Sequence, residues 1–203
     1  MSKPIIAIDV DDVLSASAAA FVDFSNERWG TRLTIEDVDE DWANMWQIDI
    51  PAMEARAAEF HQSGVVSSYH KYDEALPVLE RLKNNYDLVV ATSRNRRIDI
   101  ETRDWLNENY PNIFKEIHFS GIFDGDTTDN SVCKLTKTDL LLKIGASYII
   151  DDQPKHCFGA ADVNLRAILF GDYPWNRDVD LPPGVLRCAN WREIGVYFDS
   201  LIS

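Results

Sequence analysis

Three short apolar runs in the sequence end in side chains that could do chemistry. Ile5-Ile6-Ala7-Ile8 leads into Asp9-Val10-Asp11-Asp12, Leu88-Val89-Val90-Ala91 into Thr92-Ser93-Arg94, and Tyr148-Ile149-Ile150 into Asp151-Asp152. Lys137 opens a helical pattern just before the last run. If Asp9, Asp11, Asp151 and Asp152 meet in one place, they raise one another's pKa unless protons or a cation neutralise them. Mg2+ suits such a donor set. It prefers oxygen and keeps several waters, so one or two carboxylates, a backbone carbonyl and a substrate phosphate complete its shell. A metal, hydroxyls at Thr92 and Ser93 and an ammonium at Lys137 would together hold a phosphoryl group.

These residues can meet only if the fold puts the ends of the three runs side by side. The runs are continuous and rich in β-branched residues, as strands buried on both faces are. Ala167-Ile168-Leu169-Phe170, stopped by Gly171, is a fourth such run, and Glu116-Ile117-His118-Phe119 a less apolar fifth. Helical patterns lie between them. One surrounds Pro77 to Asn84, and another follows the capping-box sequence Thr136-Lys137-Thr138-Asp139 and stops at Gly145. Strands alternating with helices predict an α/β fold with a doubly wound parallel sheet, in which ligands bind beyond the carboxyl ends of the strands. Residues 15–72 differ: two helical segments, Ala18 to Trp29 and Pro51 to His61, and no convincing buried strand. The expected organisation is therefore a core of residues 1–14 and 73–203, with a small helical cap, 15–72, inserted after the first strand.

Composition limits the partners. The 203 residues carry 34 acidic and 20 basic side chains, a formal charge of -14, and 45% are hydrophobic, enough for one sizeable core. So acidic a surface argues against duplex nucleic acid and anionic membranes, which bind through Lys and Arg. No apolar run reaches the roughly 18–20 residues needed to span a bilayer. The acids after Ile8 would interrupt a secretory signal. Three cysteines in no metal-binding spacing fit a reducing, cytoplasmic setting. The expected partner is a small phosphorylated metabolite; oligomeric state is left open.

The segment Ile8-Asp9-Val10-Asp11-Asp12-Val13-Leu14 resembles the first motif of the haloacid dehalogenase (HAD) superfamily of phosphohydrolases. Thr92 matches the second motif, Lys137 the third and Asp151-Asp152 the fourth, in the family's order. Asp12 departs from it, since many members carry Gly there. The helical stretch 15–72, the turn Pro174-Trp175-Asn176 and the ending Asn190-Trp191-Arg192-Glu193-Ile194 are similar to the 5'(3')-deoxyribonucleotidase-like branch. The resemblance implies a HAD-like Rossmannoid core and a Mg2+-dependent phosphomonoester hydrolase, with a nucleoside monophosphate the foremost substrate class. It implies Asp9 as nucleophile through an aspartyl-phosphate, and Asp11 as general acid and base. It further implies Mg2+ held by Asp9, the carbonyl of Asp11 and Asp152, with Asp151 as support or alternative ligand, and phosphate held by Thr92, Ser93 and Lys137.

Several choices stay open in the sequence. Lys134 could replace Lys137. Arg94, Arg96 and Arg97 are either a solvated loop or a means of steering an anionic substrate. Trp42 and Trp46 are either core or a platform for a nucleobase. The acids from Glu36 to Asp41 read as solvated surface, and His61, His70, His118 and His156 receive no role. A phosphorelay receiver is excluded because its lysine comes last, and a dehalogenase because halide leaves without the proton that Asp11 would supply. A sugar-phosphate phosphatase, a phosphomutase and a binding protein that has lost turnover remain as alternatives.

Overall fold

Alternate residues of each apolar run turn to opposite sides, so both faces of the strands must be covered. The computed structural model describes residues 2–121 and 135–202. Its strands are β1 (Ile5–Ile8), β2 (Asp87–Thr92), β3 (Glu116–Phe119), β4 (Ala146–Asp151), β5 (Arg166–Phe170) and β6 (Val185–Cys188). They form one parallel sheet in the order β3-β2-β1-β4-β5-β6. Ile6, Ile8, Leu88, Val90, Ile150, Ile168 and Phe170 face one layer, and Ala7, Val89, Ala91, Ile149, Ala167 and Leu169 the other.

The helices in chain order are α1 (Ser17–Trp29), α2 (Trp42–Trp46), α3 (Ile50–Gln62), α4 (Ala75–Leu82), α5 (Asp99–Asn109), α6 (Lys137–Ile144), α7 (Pro154–Asp162) and α8 (Trp191–Ser200). Helices α4, α5 and α8 close the first layer through Val78, Leu79, Trp105, Leu106, Ile194 and Phe198. Helices α6 and α7 close the second through Leu140, Leu141, Cys157 and Ala160. The doubly wound α/β expectation therefore holds. From β1 the chain steps outward to β2 and β3, then returns to β4 on the other side of β1. The strand order reverses there, which makes the carboxyl ends of β1, β2 and β4 the crevice for a ligand.

Residues 15–72 contribute helices and no sheet strand among the described residues. Phe21, Phe24, Trp29, Trp42, Trp46 and Phe60 pack there ring on ring, and Arg56 lies over the Trp29 and Trp46 rings. The segment leaves and rejoins the sheet through adjacent strands of chain, tied by Ala16 N to His70 O (2.8 Å) and Tyr72 N to Leu14 O (3.0 Å). The acids from Glu36 to Asp41 do more than face solvent. Asp37 closes a capping box with Thr34, Asp41 caps α2, Glu36 pairs with Arg177 and Glu40 with Lys155, so this edge is joined to the sheet domain.

Aromatic side chains then fix the loop after β1. Three consecutive carbonyls each accept from one: Asp12 O from the Tyr173 hydroxyl (2.7 Å), Val13 O from Trp191 Nε1 (2.8 Å), and Leu14 O from the Tyr110 hydroxyl (2.7 Å). Trp191 and Tyr110 are almost wholly buried, so these bonds form away from water. Gly171 has φ +85°, and a Cβ there would lie 2.2 Å from the Tyr173 ring, so glycine lets that ring reach Asp12. Trp191→Phe should leave Val13 O without its donor and cost about 1–3 kcal/mol, besides any loss from the smaller ring. Urea unfolding checks this, and a midpoint equal to the wild type would contradict the bracing role.

Candidate active site

Asp9 follows β1, where its N–H donates to Ile150 O of β4 at 3.0 Å. The carboxyl is buried, with Oδ2 3.0 Å from Lys137 Nζ and no hydrogen-bond partner for Oδ1 among the described residues. Next to it, Val10 O accepts from Leu14 N, Ser15 N and the Ser15 hydroxyl. Asp12 sits at φ +54°, where glycine would be free of strain. Its carboxylate offsets that cost by accepting from the Ser17 hydroxyl (2.9 Å) and Ala18 N (3.1 and 3.2 Å), which caps α1. Asp11 lies between them. Among the described residues its carbonyl takes no hydrogen bond, and its carboxylate is gripped side-on by Arg94.

Lys137 owes its position to the capping box. The Thr136 hydroxyl accepts from Asp139 N at 3.1 Å and Asp139 Oδ2 from Thr136 N at 3.2 Å, so α6 begins at Lys137 and turns its side chain into the cleft. The ammonium is buried, 3.0 Å from Asp9 Oδ2 and 2.6 Å from Asp151 Oδ2. Asp151 also accepts from Gln153 N (2.9 Å), and His156 Nδ1 lies 3.2 Å from both of its carboxylate oxygens. Asp152 takes Gln153 Nε2 (2.9 Å) and Trp175 Nε1 (2.7 Å) on the same oxygen, Oδ2. Asn176, buried beneath, donates to Asp152 O and Phe170 O.

Asp9, Asp151 and Asp152 offer ligand atoms within 4.8 Å of one another, a buried group of acids able to bind a metal. The balance of charge shows in their protonation. Burial, opposed by Lys137, pushes Asp9 up from 3.8 to about 6. Burial and the Asp11 charge push Asp12 to about 7, and burial with the charges of Asp151 and Asp12 lifts Asp152 well above the usual range. Burial also acts on Asp151, but Lys137 and His156 outweigh it and hold that group low. At Asp11 the charge and hydrogen bonds of Arg94 overcome burial in the same way. Asp151 is thus already neutralised by the protein, whereas Asp9 shares the one Lys137 ammonium with it and Asp152 has no cation paired with it among the described residues.

The residues picked out in the sequence divide by their surroundings. Asp9, Asp151, Asp152 and Lys137 meet directly. Thr92 is fully buried, its Oγ1 accepting from Arg94 N at 3.1 Å, and the Ser93 hydroxyl is buried without a partner among the described residues. Arg94 is not a solvated loop residue: its side chain is only 4% exposed. Trp46 is buried among the rings of the helical segment, and Trp42 lies at their edge, 6.0 Å from the His61 ring. Lys134 lies outside the described residues. His156, given no role from sequence, joins the cluster from the first turn of α7, five residues past Asp151. Tyr173, just ahead of the Pro174-Trp175-Asn176 turn, is the other residue that sequence reasoning missed; it stacks on Trp175 at 4.7 Å and reaches Asp12 O.

Known proteins match this chain closely enough to name its kind. The model of the family described as 5' nucleotidase, deoxy (pyrimidine), cytosolic type C matches residues 3–198. A protein named "Putative 5'(3')-deoxyribonucleotidase" from Staphylococcus epidermidis is 27% identical over 209 residues, covering 99% of both chains. A "Putative nucleotidase" from Halalkalibacterium halodurans is 23% identical over 194 residues, 95% of this chain and 91% of that one. Among solved structures, a haloacid dehalogenase-like hydrolase of Streptococcus pneumoniae superposes with TM-score 0.71 at 14% identity, covering 97% of this chain and 98% of that one. Mycobacterium tuberculosis Protein Tyrosine Kinase A does so with TM-score 0.69 at 17% identity, covering 97% and 98%. Likeness at such identities shows the fold alone.

The raised carboxyls set a pH dependence. Asp9 and Asp12 hold protons in the folded chain that the unfolded chain gives up near 3.8. Each therefore contributes stability that is full below 3.8 and is lost as pH rises through about 6 and about 7. Asp11 and Asp151, held low, act in the opposite sense only at more acid pH. In chelator-treated protein the thermal midpoint should fall between about pH 5 and about pH 8, and a divalent cation added at the upper end should raise it again. A midpoint that rises across that window, or ignores the cation, would contradict the charge balance.

Proposed function

The chain belongs to the family of 5' nucleotidase, deoxy (pyrimidine), cytosolic type C proteins, and from that premise we propose that it is a Mg2+-dependent 5'-nucleotidase acting on (deoxy)ribonucleoside monophosphates. The names of its relatives support that substrate class. The observation that carries the chemistry is Asp9: one carboxylate oxygen held by Lys137 and the other buried with no hydrogen-bond partner among the described residues. An oxygen so placed has lost water without gaining a partner, which suits a nucleophile or metal ligand better than a structural acid.

The donor set fits Mg2+. Asp9, the carbonyl of Asp11 and Asp152 would hold it, and when bound it neutralises charge on the phosphoryl oxygens. Asp151 is the less suited ligand because Lys137, His156 and Gln153 N already occupy its oxygens. The Lys137 ammonium and the Thr92 and Ser93 hydroxyls face the remaining phosphoryl oxygens, where charge builds during transfer.

Hydrolysis then takes two in-line steps. As an oxygen of Asp9 bonds to phosphorus, the bond to the leaving oxygen breaks, and that oxygen takes its proton from Asp11, which Arg94 holds low in the free protein and which takes up this proton from solvent as the ester binds. In the second step Asp11 takes a proton from water as the water oxygen bonds to phosphorus, and the Asp9–phosphorus bond breaks to release phosphate. Residues 15–72 serve as a cap over the cleft, with Trp42, beside His61 at the edge of their ring cluster, the candidate platform for a nucleobase. They exclude water from the first step.

Phosphate release from p-nitrophenyl phosphate, 5'- and 3'-deoxyribonucleotides and sugar phosphates, with Mg2+ and with chelator, tests the substrate class. Nucleotides should be favoured by about tenfold or more in kcat/KM, a difference of about 1.4 kcal/mol. Preference for sugar phosphates, or no release with any ester, would sink the reading. Asp9→Asn should lower turnover by at least about 10³-fold while the protein stays folded. Asp11→Asn should cost about 10²–10⁴-fold on nucleotides and much less on p-nitrophenyl phosphate, whose leaving group needs little protonation. Equal losses on both would make Asp11 structural.

A further inference from the structure

We infer that Arg94 is a positioning residue that acts through Asp11 and ties that acid to both connections of the helical segment; this rests on the phosphohydrolase reading above. The guanidinium is buried and its donors are turned inward. Nε lies 2.9 Å from Asp11 Oδ2 and 3.2 Å from Oδ1, and Nη2 lies 2.7 Å from Oδ1. Nη2 also reaches the Ser15 hydroxyl at 3.4 Å, and Nη1 donates to the Thr102 hydroxyl at 3.2 Å. The plane lies over the Tyr69 ring, 5.3 Å from its centroid.

The partners give the arrangement its meaning. Ser15 sits where the chain leaves for the helical segment, bridged to Lys71 on the returning chain, and Tyr69 belongs to that return. Thr102, on α5, anchors the guanidinium from the sheet side. A cation meant to attract a substrate phosphate would keep donors free at the surface, but this one commits its fork to a single carboxylate. Asp11's side chain is 38% exposed against 4% for Arg94, so the acid stands between the arginine and the open side of the cleft. Only a planar fork can fix both the place and the rotation of a carboxylate. Arg94 thereby aims the group that must reach the leaving oxygen, and a shift of the connections at Ser15 and Tyr69 is passed to it.

A double-mutant cycle with two leaving groups tests the assignment. Arg94→Gln should lower kcat on a deoxynucleoside 5'-monophosphate by about 10²-fold and on p-nitrophenyl phosphate by less than about tenfold, with KM within about threefold. In an Asp11→Asn background the same change should add less than about threefold, because the group it acts through is gone. Arg94→Lys keeps the charge without the fork and should resemble Gln more than the wild type; it carries the comparison if the Gln variant does not fold. A KM rise of about tenfold with kcat unchanged, losses that multiply in the double variant, or equal losses on both substrates would overturn the assignment. A crystal structure of the variant reads it without turnover: Asp11's carboxylate should leave its present position, and an unmoved Asp11 overturns the inference. If the wild type hydrolyses no phosphomonoester, the functional reading fails and that structure alone decides the role of Arg94.

Discussion

One ammonium stands among three carboxylates. Lys137 touches Asp9 and Asp151 and cannot neutralise Asp152 as well, so the cleft carries more negative charge than its own residues balance. Buried charges are tolerated only when paired or compensated, and truncating one member of such a set leaves the rest exposed to the full cost of burial. The capping box that starts α6 at Lys137 is therefore a functional element as much as a helical one. Without it the cation would not stand between the two acids, and the cluster would be bearable only with its carboxyls protonated.

Holding that charge in place requires a rigid frame. Tyr173, Trp191 and Tyr110 grasp three successive carbonyls after Asp11, Asn176 and Trp175 hold both ends of Asp152, and Asp12 closes the start of α1. These contacts come from elements far apart in the chain, so the whole sheet domain must fold before the loop is set. Such a frame keeps the acids from relaxing away from one another and leaves Asp9 Oδ1 and the Ser93 hydroxyl without partners among the described residues. Preorganised polar groups of this kind favour a charged transition state because little rearrangement is needed when charge develops.

Much of this could be read from the chain itself. β1 and the cores of β2, β4 and β5 follow from apolar runs, and the convergence of the residues after β1, β2 and β4 follows from where those runs stop. What escaped has weak local signals. β6 is four residues at a sheet edge, with Leu186 exposed and Arg187 within it, while α5 and α7 bury only a few residues each and show no long apolar stripe. Arg94 was ambiguous because two neighbouring arginines make it look like part of a basic surface loop. Its burial depends on Thr102, Tyr69 and Ser15, three residues brought to it only by tertiary structure. His156 likewise has no motif, since its contact with Asp151 arises from the turn joining β4 to α7.

The acidity of the chain as a whole, 34 acids against 20 basic residues, is a property of its surface and says little about the cleft, where the placing of a few acids decides the chemistry. At the centre of the account is Asp9 as the atom that receives the phosphoryl group. Acid quench during steady turnover of a good substrate, followed by peptide mass spectrometry, tests this most directly. One phosphoryl group should appear on the peptide that carries Asp9 and be absent from the Asp9→Asn variant. An Asp9 peptide that stays unmodified while product accumulates, or a phosphoryl group on another residue, would contradict it.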